Sequence, residues 1–303
     1  MTFLSIFTPT YNRAHCLANL FDSLCAQTDR DFEWIIIDDG SIDDTEALVN
    51  RFKEKAPWMN IVYRYKHNGG KHTAHNMALP LIKGVYSAIV DSDDILVPNA
   101  VSVIRKQWSK YRMNDEVGQV IFMKGLSEDK PFCRVKRFDT PVDGIREKRI
   151  SIKNCGAASA DCFEIYRSCI FKKYPNPVFE NEKFLGEGSF LYPINNEKKC
   201  VYINRVIYLC QYNEDGLTLA GRKMRLRNPI GGMYTSQLYM SPKINVIKRV
   251  KKAILYVCYA KIAGYDAKYI IKNSRYKLLT VCTIIPGYAV FAIWKRKYGL
   301  CEE

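Results

Sequence analysis

Tyr86-Ser87-Ala88-Ile89-Val90-Asp91-Ser92-Asp93-Asp94 is an apolar run that stops at three carboxylates within four residues. Clustered carboxylates repel one another and lose hydration on burial, so a positive partner is expected among them. At the end of a strand, such a cluster suits a divalent metal. Mg²⁺ and Mn²⁺ take hard oxygen ligands and leave coordination positions for phosphate oxygens. The local alternative is that these side chains cap the helix that Pro98 would open.

Working outward, the same grammar appears three times upstream. Leu4-Ser5-Ile6-Phe7-Thr8 closes at Pro9 and reads as a buried strand. Leu17, Leu20, Phe21 and Leu24 then fall at helical spacing, predicting a helix over about 14–27. Phe32 to Ile37 is a continuous β-branched run ending in Asp38-Asp39-Gly40-Ser41; Asp43 or Asp44 would cap the following helix, with Ala47, Leu48 and Phe52 facing inward. Ile61 to Tyr65 is a third strand, followed by the turn His67-Asn68-Gly69-Gly70-Lys71 and a helix that ends near Pro80. Four strand–helix repeats predict an α/β fold with a mainly parallel sheet and crossover helices. Ligands bind such sheets beyond the carboxyl ends of the strands, so four polar strand-end loops are expected to converge on one crevice. His72 and His75 lack the i, i+4 spacing of a helical zinc pair and read as surface histidines.

Downstream the rhythm loosens. Val117 to Met123 and Val201 to Tyr208 read as strands, Gly156 to Asp161 is a small-residue segment, and Glu180-Asn181-Glu182-Lys183 is an acidic loop before Gly186-Glu187-Gly188-Ser189. The composition, 48% apolar and 25% charged, is that of a globular chain rather than a disordered one. The eleven cysteines are scattered, with no Cys-x-x-Cys, which predicts reduced thiols in a cytosolic setting.

The charge is unevenly placed. From Gly221 onward, 17 Lys and Arg face 3 Asp and Glu, so nearly all of the whole-chain net charge of +15 lies in the last third. Leu278 to Trp294 is free of charge, flanked by Lys277 on one side and Lys295-Arg296-Lys297 on the other, and interrupted by Pro286-Gly287. It is short for a span and reads as an interfacial or re-entrant element. Basic side chains interleaved with apolar ones point to an anionic membrane surface, each adding about 1 kcal/mol near it. Nucleic-acid binding is not expected, since no recognition motif accompanies the charge.

Thr8-Pro9-Thr10-Tyr11-Asn12-Arg13, Ile35-Ile36-Ile37-Asp38-Asp39-Gly40-Ser41, Gly69-Gly70-Lys71-His72 with Ala74 and Asn76, and Asp91-Ser92-Asp93-Asp94 together resemble the ordered motifs of family 2 glycosyltransferases with the GT-A fold. The resemblance covers 1–115 closely and reaches less firmly to about 220. It implies a nucleotide-diphosphate sugar donor, with a UDP-sugar favoured, a divalent metal (Mn²⁺ or Mg²⁺), and transfer with inversion to a hydroxyl of a glycan or lipid-linked glycan, in keeping with bacterial surface polysaccharide synthesis. Thr8, Pro9, Tyr11 and Arg13 would line the nucleotide pocket. Asp38 and Asp39 would accept from base or ribose, Lys71 would lie along the nucleotide, and Asp93 and Asp94 would hold metal and donor, led by Asp91. Asp161 resembles an acid facing the donor sugar. Glu187 matches the catalytic base, with Glu182 as its substitute.

The chemistry agrees with these roles. Inverting transfer needs one base for the acceptor proton and positive charge for the departing diphosphate. A glycoside hydrolase would need a carboxyl pair across the scissile bond. The expected organisation is a catalytic domain over 1–220, split into a nucleotide-binding half (1–115) and an acceptor half (116–220). A basic, membrane-associating helical tail over 221–303 follows, on a protein at the cytoplasmic face of the cell membrane. The competing reading is a scaffold that binds nucleotide sugars without turning them over.

Overall fold

The computed structural model describes residues 2–131, 144–146, 162–210 and 217–299. Its strands are β1 (Leu4–Thr10), β2 (Phe32–Asp38), β3 (Asn60–Tyr65), β4 (Tyr86–Ile89), β5 (Ile95–Leu96), β6 (Val117–Ser127), β7 (Lys130–Pro131), β8 (Gly144–Arg146), β9 (Cys162–Arg167) and β10 (Lys199–Leu209). They form one mixed sheet in the order β3-β2-β1-β4-β9-β6-β10-β5, with β7 beside β6 and β8 beside β10. β3, β2, β1 and β4 are parallel, in the register Leu4↔Phe32 and Leu4↔Tyr86. This is the half that the strand–helix alternation predicts. Beyond β4 the sheet mixes directions, since β9 pairs antiparallel with both β4 and β6 while β10 runs parallel to β6.

The crossover helices are α1 (Ala14–Cys25), α2 (Thr45–Lys55), α3 (Lys71–Ala78) and α4 (Ala100–Tyr111). α1 buries Leu17, Leu20, Phe21 and Leu24, the apolar stripe read from the spacing. α2 buries Thr45, Val49 and Phe52, leaving Ala47 exposed. Asp43 Oδ1 accepts from the Thr45 amide and hydroxyl just ahead of the helix, whose N-cap position is Asp44. Phe52 then stacks on Phe21, centroids 4.1 Å apart, which locks α2 to α1. α4 begins at Ala100, two residues beyond Pro98.

The chain packs as two compact units. The first is residues 1–175 with 193–213, and the second is 176–192 with 214–303. The segment with Glu182 and Glu187 therefore belongs with the C-terminal part, not with the acceptor half that sequence order suggested. α5 (Ser168–Phe171) lies in the first unit, and α6 (Gly188–Glu197), with Pro193 inside it, runs from the second into the first.

In the second unit, α7 (Leu217–Leu226) is followed by α8 (Pro229–Leu238), α9 (Val246–Ile262), α10 (Ala267–Asn273) and α11 (Lys277–Tyr298). α11 is one helix of 22 residues, so Pro286-Gly287 does not break it as expected. Proline removes one helical N–H, and packing against a neighbouring helix offsets that loss. Gly287 is the contact point: a Cβ there would stand 2.5 Å from the Val257 Cβ of α9. Gly287→Ala should therefore force the two helices apart and lower unfolding stability by about 1–3 kcal/mol. Denaturant titration of the variant checks this, and an unchanged midpoint would count against the close crossing.

Candidate active site

The four loops after β1–β4 are joined by a continuous run of hydrogen bonds. Asn12 adopts a left-handed conformation (φ 51), which its short polar side chain tolerates. Its amide donates to Ser41 Oγ at 2.8 Å and its Oδ1 accepts from the Ile42 amide at 2.8 Å, tying the first loop to the second. Asp39 ties the second to the third. Its Oδ1 accepts from Lys66 Nζ at 2.5 Å and the Gly69 amide at 3.0 Å, and its Oδ2 from the Gly70 amide at 2.7 Å. Gly40 (φ 94) must be glycine here, because a Cβ would lie 2.7 Å from the Asn68 amide nitrogen. Lys71 Nζ, at the head of α3, then reaches Asp91 Oδ1 at 2.6 Å, tying the third loop to the fourth.

A residue from far downstream completes the run. The Tyr208 hydroxyl, buried in β10, donates to Asp94 Oδ2 at 2.6 Å and accepts from the Asp91 amide at 3.1 Å. Lys124 Nζ of β6 sits over the Tyr208 ring, 4.5 Å from its centroid. Burial and the charges of Asp91 and Asp94 push the Tyr208 phenol well above its ordinary pKa, so it is a fixed proton donor. Burial works to raise the Asp91 pKa, but Lys71 and Lys124 outweigh it and hold the carboxyl below the usual range. Tyr208 and Lys66 have no signature of their own in the sequence. Only a buried phenol's need for a partner points to the first.

The expected site residues thus divide by how their groups are used. Asp38 accepts from the Gly40 and Ser41 amides and from the Tyr63 hydroxyl, so its carboxylate is spent on the turn rather than presented to a base or ribose. Asp39 is buried and likewise committed to the loop amides and Lys66. Asp94 is buried, with Oδ2 accepting from the Tyr208 hydroxyl. Asp93, half-buried beside it, makes no hydrogen bond or ion pair among the described residues. Thr8 accepts from the Trp34 indole N–H at 2.9 Å, while Pro9 and Arg13 are half-buried and Tyr11 is exposed at the loop. Asp161 lies outside the described residues.

Glu182 is not available as a base. It is buried, and its two oxygens accept from the Ile230 and Gly231 amides at 2.5 and 2.6 Å, capping α8. Glu187 is exposed immediately before α6. His72 and His75 are buried on the inner side of α3, not on a surface, and the His75 ring lies edge-on to Phe171 with centroids 4.8 Å apart.

No cluster of three or more metal-binding side chains occurs among the described residues. A Mg²⁺- or Mn²⁺-type site shared with substrate phosphates needs only one or two carboxylates. Asp93 supplies one, at the end of a strand, with its neighbours' charges already compensated. The residues present therefore fit a metal held jointly with a diphosphate.

A family model for glycosyl transferase family 2 matches residues 5–160. The chain belongs to glycosyl transferase family 2. Across its full length, this family 2 chain is 24% identical to the Campylobacter jejuni GalNAc(5)-diNAcBac-PP-undecaprenol β-1,3-glucosyltransferase, covering 99% of each. Other curated relatives match locally, and the chain spans only 29%, 11% and 11% of the first three of them. Its fold is similar to that of S. aureus TarS 1–349 in complex with UDP-GlcNAc, with a TM-score of 0.60 and 15% identity, covering 98% of this chain and 92% of that one. It is also similar to that of the mannosyltransferase PcManGT from Pyrobaculum calidifontis in complex with GDP-Man and Mn²⁺, with a TM-score of 0.55 and 17% identity, covering 98% and 87%. Both structures share the GT-A architecture of this family 2 chain.

Two outcomes follow from this geometry. Tyr208→Phe keeps the packing but strips a bond from the buried Asp94 carboxylate and from the Asp91 amide, so unfolding stability should fall by about 2 kcal/mol in denaturant titration. His72 is held below its ordinary pKa by burial, which outweighs the charge of Asp39. The unfolded chain then takes up the proton first as pH falls. His72 thus contributes stability above about pH 6.5 that is lost on acidification, by at most about 1.4 kcal/mol per pH unit. Melting curves between about pH 7.5 and 5.5 should show this slope, and His72→Gln should flatten it.

Proposed function

We propose that the chain is a metal-dependent, inverting glycosyltransferase. It moves a sugar from a nucleotide-diphosphate donor, preferentially a UDP-sugar, to a hydroxyl of a glycan or lipid-linked glycan. The setting is bacterial surface polysaccharide assembly at the cytoplasmic face of the cell membrane. The observation that carries the reading is the carboxylate of Asp93, uncommitted among the described residues, within a loop whose other acids are ion-paired (Asp91) or hydrogen-bonded (Asp94). A half-buried carboxylate with no protein partner leaves its oxygens open to a cation shared with a diphosphate. Family membership supports sugar transfer, and the lipid-linked substrate in the name of the Campylobacter jejuni relative supports the acceptor class. The TarS complex with UDP-GlcNAc supports the donor class, and the PcManGT complex with Mn²⁺ supports the metal.

In this mechanism Thr8 to Tyr11 and Arg13 border the nucleotide, while Asp39 acts through the loop it braces. Asp93 would hold the metal, which when bound supplies positive charge to the diphosphate. Lys71 offsets the charge of Asp91, which lowers the loop's repulsion of the donor and leaves the rest to the metal. Glu187 takes the acceptor hydroxyl proton as that oxygen bonds to the anomeric carbon. The bond from the anomeric carbon to the diphosphate oxygen breaks with its electron pair leaving on the diphosphate.

Glu187→Gln should lower turnover by about 10²–10⁴-fold while donor binding, followed by thermal shift, is retained. Asp93→Asn should instead abolish the metal-dependent part of the donor's thermal shift. Unchanged turnover in Glu187→Gln would remove it as the base. Donor binding without transfer or donor hydrolysis under any metal would favour the scaffold.

A further inference from the structure

α11 has two unlike faces. Its inner face buries Thr280, Thr283, Gly287 and Trp294, with Gly287 against Val257 of α9 and the Trp294 ring 5.9 Å from that of Tyr259. Its outer face leaves Leu278 80%, Ile285 82% and Ile293 62% exposed, with no charged residue between Lys277 and Lys295. Exposed aliphatic side chains recurring along one helix face mark an interaction surface.

Length and composition alone would let this helix of 22 residues cross a membrane. The neighbouring helix argues against that. α9, packed on the inner face, carries Lys248, Arg249, Lys251 and Lys252 in its first two turns and Lys261 in its last. A spanning α11 would draw those charges into hydrocarbon, where each is strongly penalised. A helix lying in the interface buries only its outer face and leaves α9 in water.

The rim of this face selects the partner. Lys277 stands at one end and Lys295-Arg296-Lys297 at the other, and Asp266 is the only acidic residue between 217 and 299. Apolar side chains between two basic ends match acyl chains flanked by anionic headgroups. A second copy of the chain would instead set these cations against one another.

We infer that the outer face of α11 lies in the plane of an anionic lipid bilayer, with Leu278, Ile285 and Ile293 at the headgroup–acyl boundary and the basic ends on lipid phosphates. The inference deepens the membrane setting proposed above. Its test reads binding rather than turnover, so either can fail without the other.

The test uses the full chain with phosphatidylcholine vesicles, with and without phosphatidylglycerol. The protein should sediment with phosphatidylglycerol vesicles and be released by alkaline carbonate. Binding should weaken at least tenfold in the triple variant Leu278→Ser, Ile285→Ser, Ile293→Ser, and likewise in Lys295→Gln, Arg296→Gln, Lys297→Gln. The substituted apolar residues are exposed, and circular dichroism checks that both variants are folded. Absence of binding to phosphatidylglycerol vesicles, or binding unaltered by the apolar variant, overturns the inference. Resistance to carbonate overturns the in-plane orientation in favour of a span. A lipid-free change of oligomeric state in the apolar variant, with vesicle binding intact, would assign the face to a second copy.

Discussion

Carboxylates gathered at the ends of parallel strands must each be compensated, and that requirement organises the first unit. Asp38 is taken up by turn amides and Tyr63, Asp39 by Lys66 and the amides of the Gly69-Gly70 turn, Asp91 by Lys71, and Asp94 by Tyr208. The two lysines offset charge, the amides and phenols satisfy the remaining carboxylate oxygens, and several of these bonds cross from one loop to the next, so the acids act as the ties of a shared scaffold. Asp93 is the member left over among the described residues, held where its uncompensated charge has value only to a ligand.

Tyr208 ties the downstream half of the sheet to the Asp91–Asp94 loop. β10 runs parallel to β6 and pairs antiparallel with β5, in the register Tyr208↔Leu96. That pairing brings a phenol to the Asp91–Asp94 loop from 114 residues beyond Asp94. β9 is antiparallel to both β4 and β6, and β10 is parallel to β6, so β10 runs in the same direction as β1–β4 and presents Tyr208 at its own carboxyl end. The ion pair of Lys71 and Asp91 is partly exposed and contributes little to stability by itself. Its role is to cancel charge and hold a geometry.

In the second unit the governing constraint is close helix packing around small residues. Gly287 admits α9, Gly232 of α8 receives the Tyr259 ring, and Glu182 closes the amino end of α8. Once one face of α11 is committed to α9, its remaining apolar side chains have nowhere in that unit to go. The same segment that reads as a marginal span is then an amphiphilic surface whose neighbour is too basic to follow it into lipid.

The amino-acid sequence by itself determined the first four strands and their helices, the strand-end position of the acids and the segregation of basic charge. These follow from periodicity and local order, which act over a few residues. Which of several like residues is committed and which is free was decided only by the tertiary structure. Asp38, Asp39, Asp93 and Asp94 are the same residue type in similar turns, and nothing local marks Glu182 as the acid that closes the amino end of α8. Their partners, Lys66, Tyr63, Tyr208 and the α8 amides, are distant in sequence, and hydrogen bonding between them depends on position in space. The continuity of α11 through Pro286-Gly287 is of the same kind, because the contact with Val257 that sustains it exists only once α9 has packed.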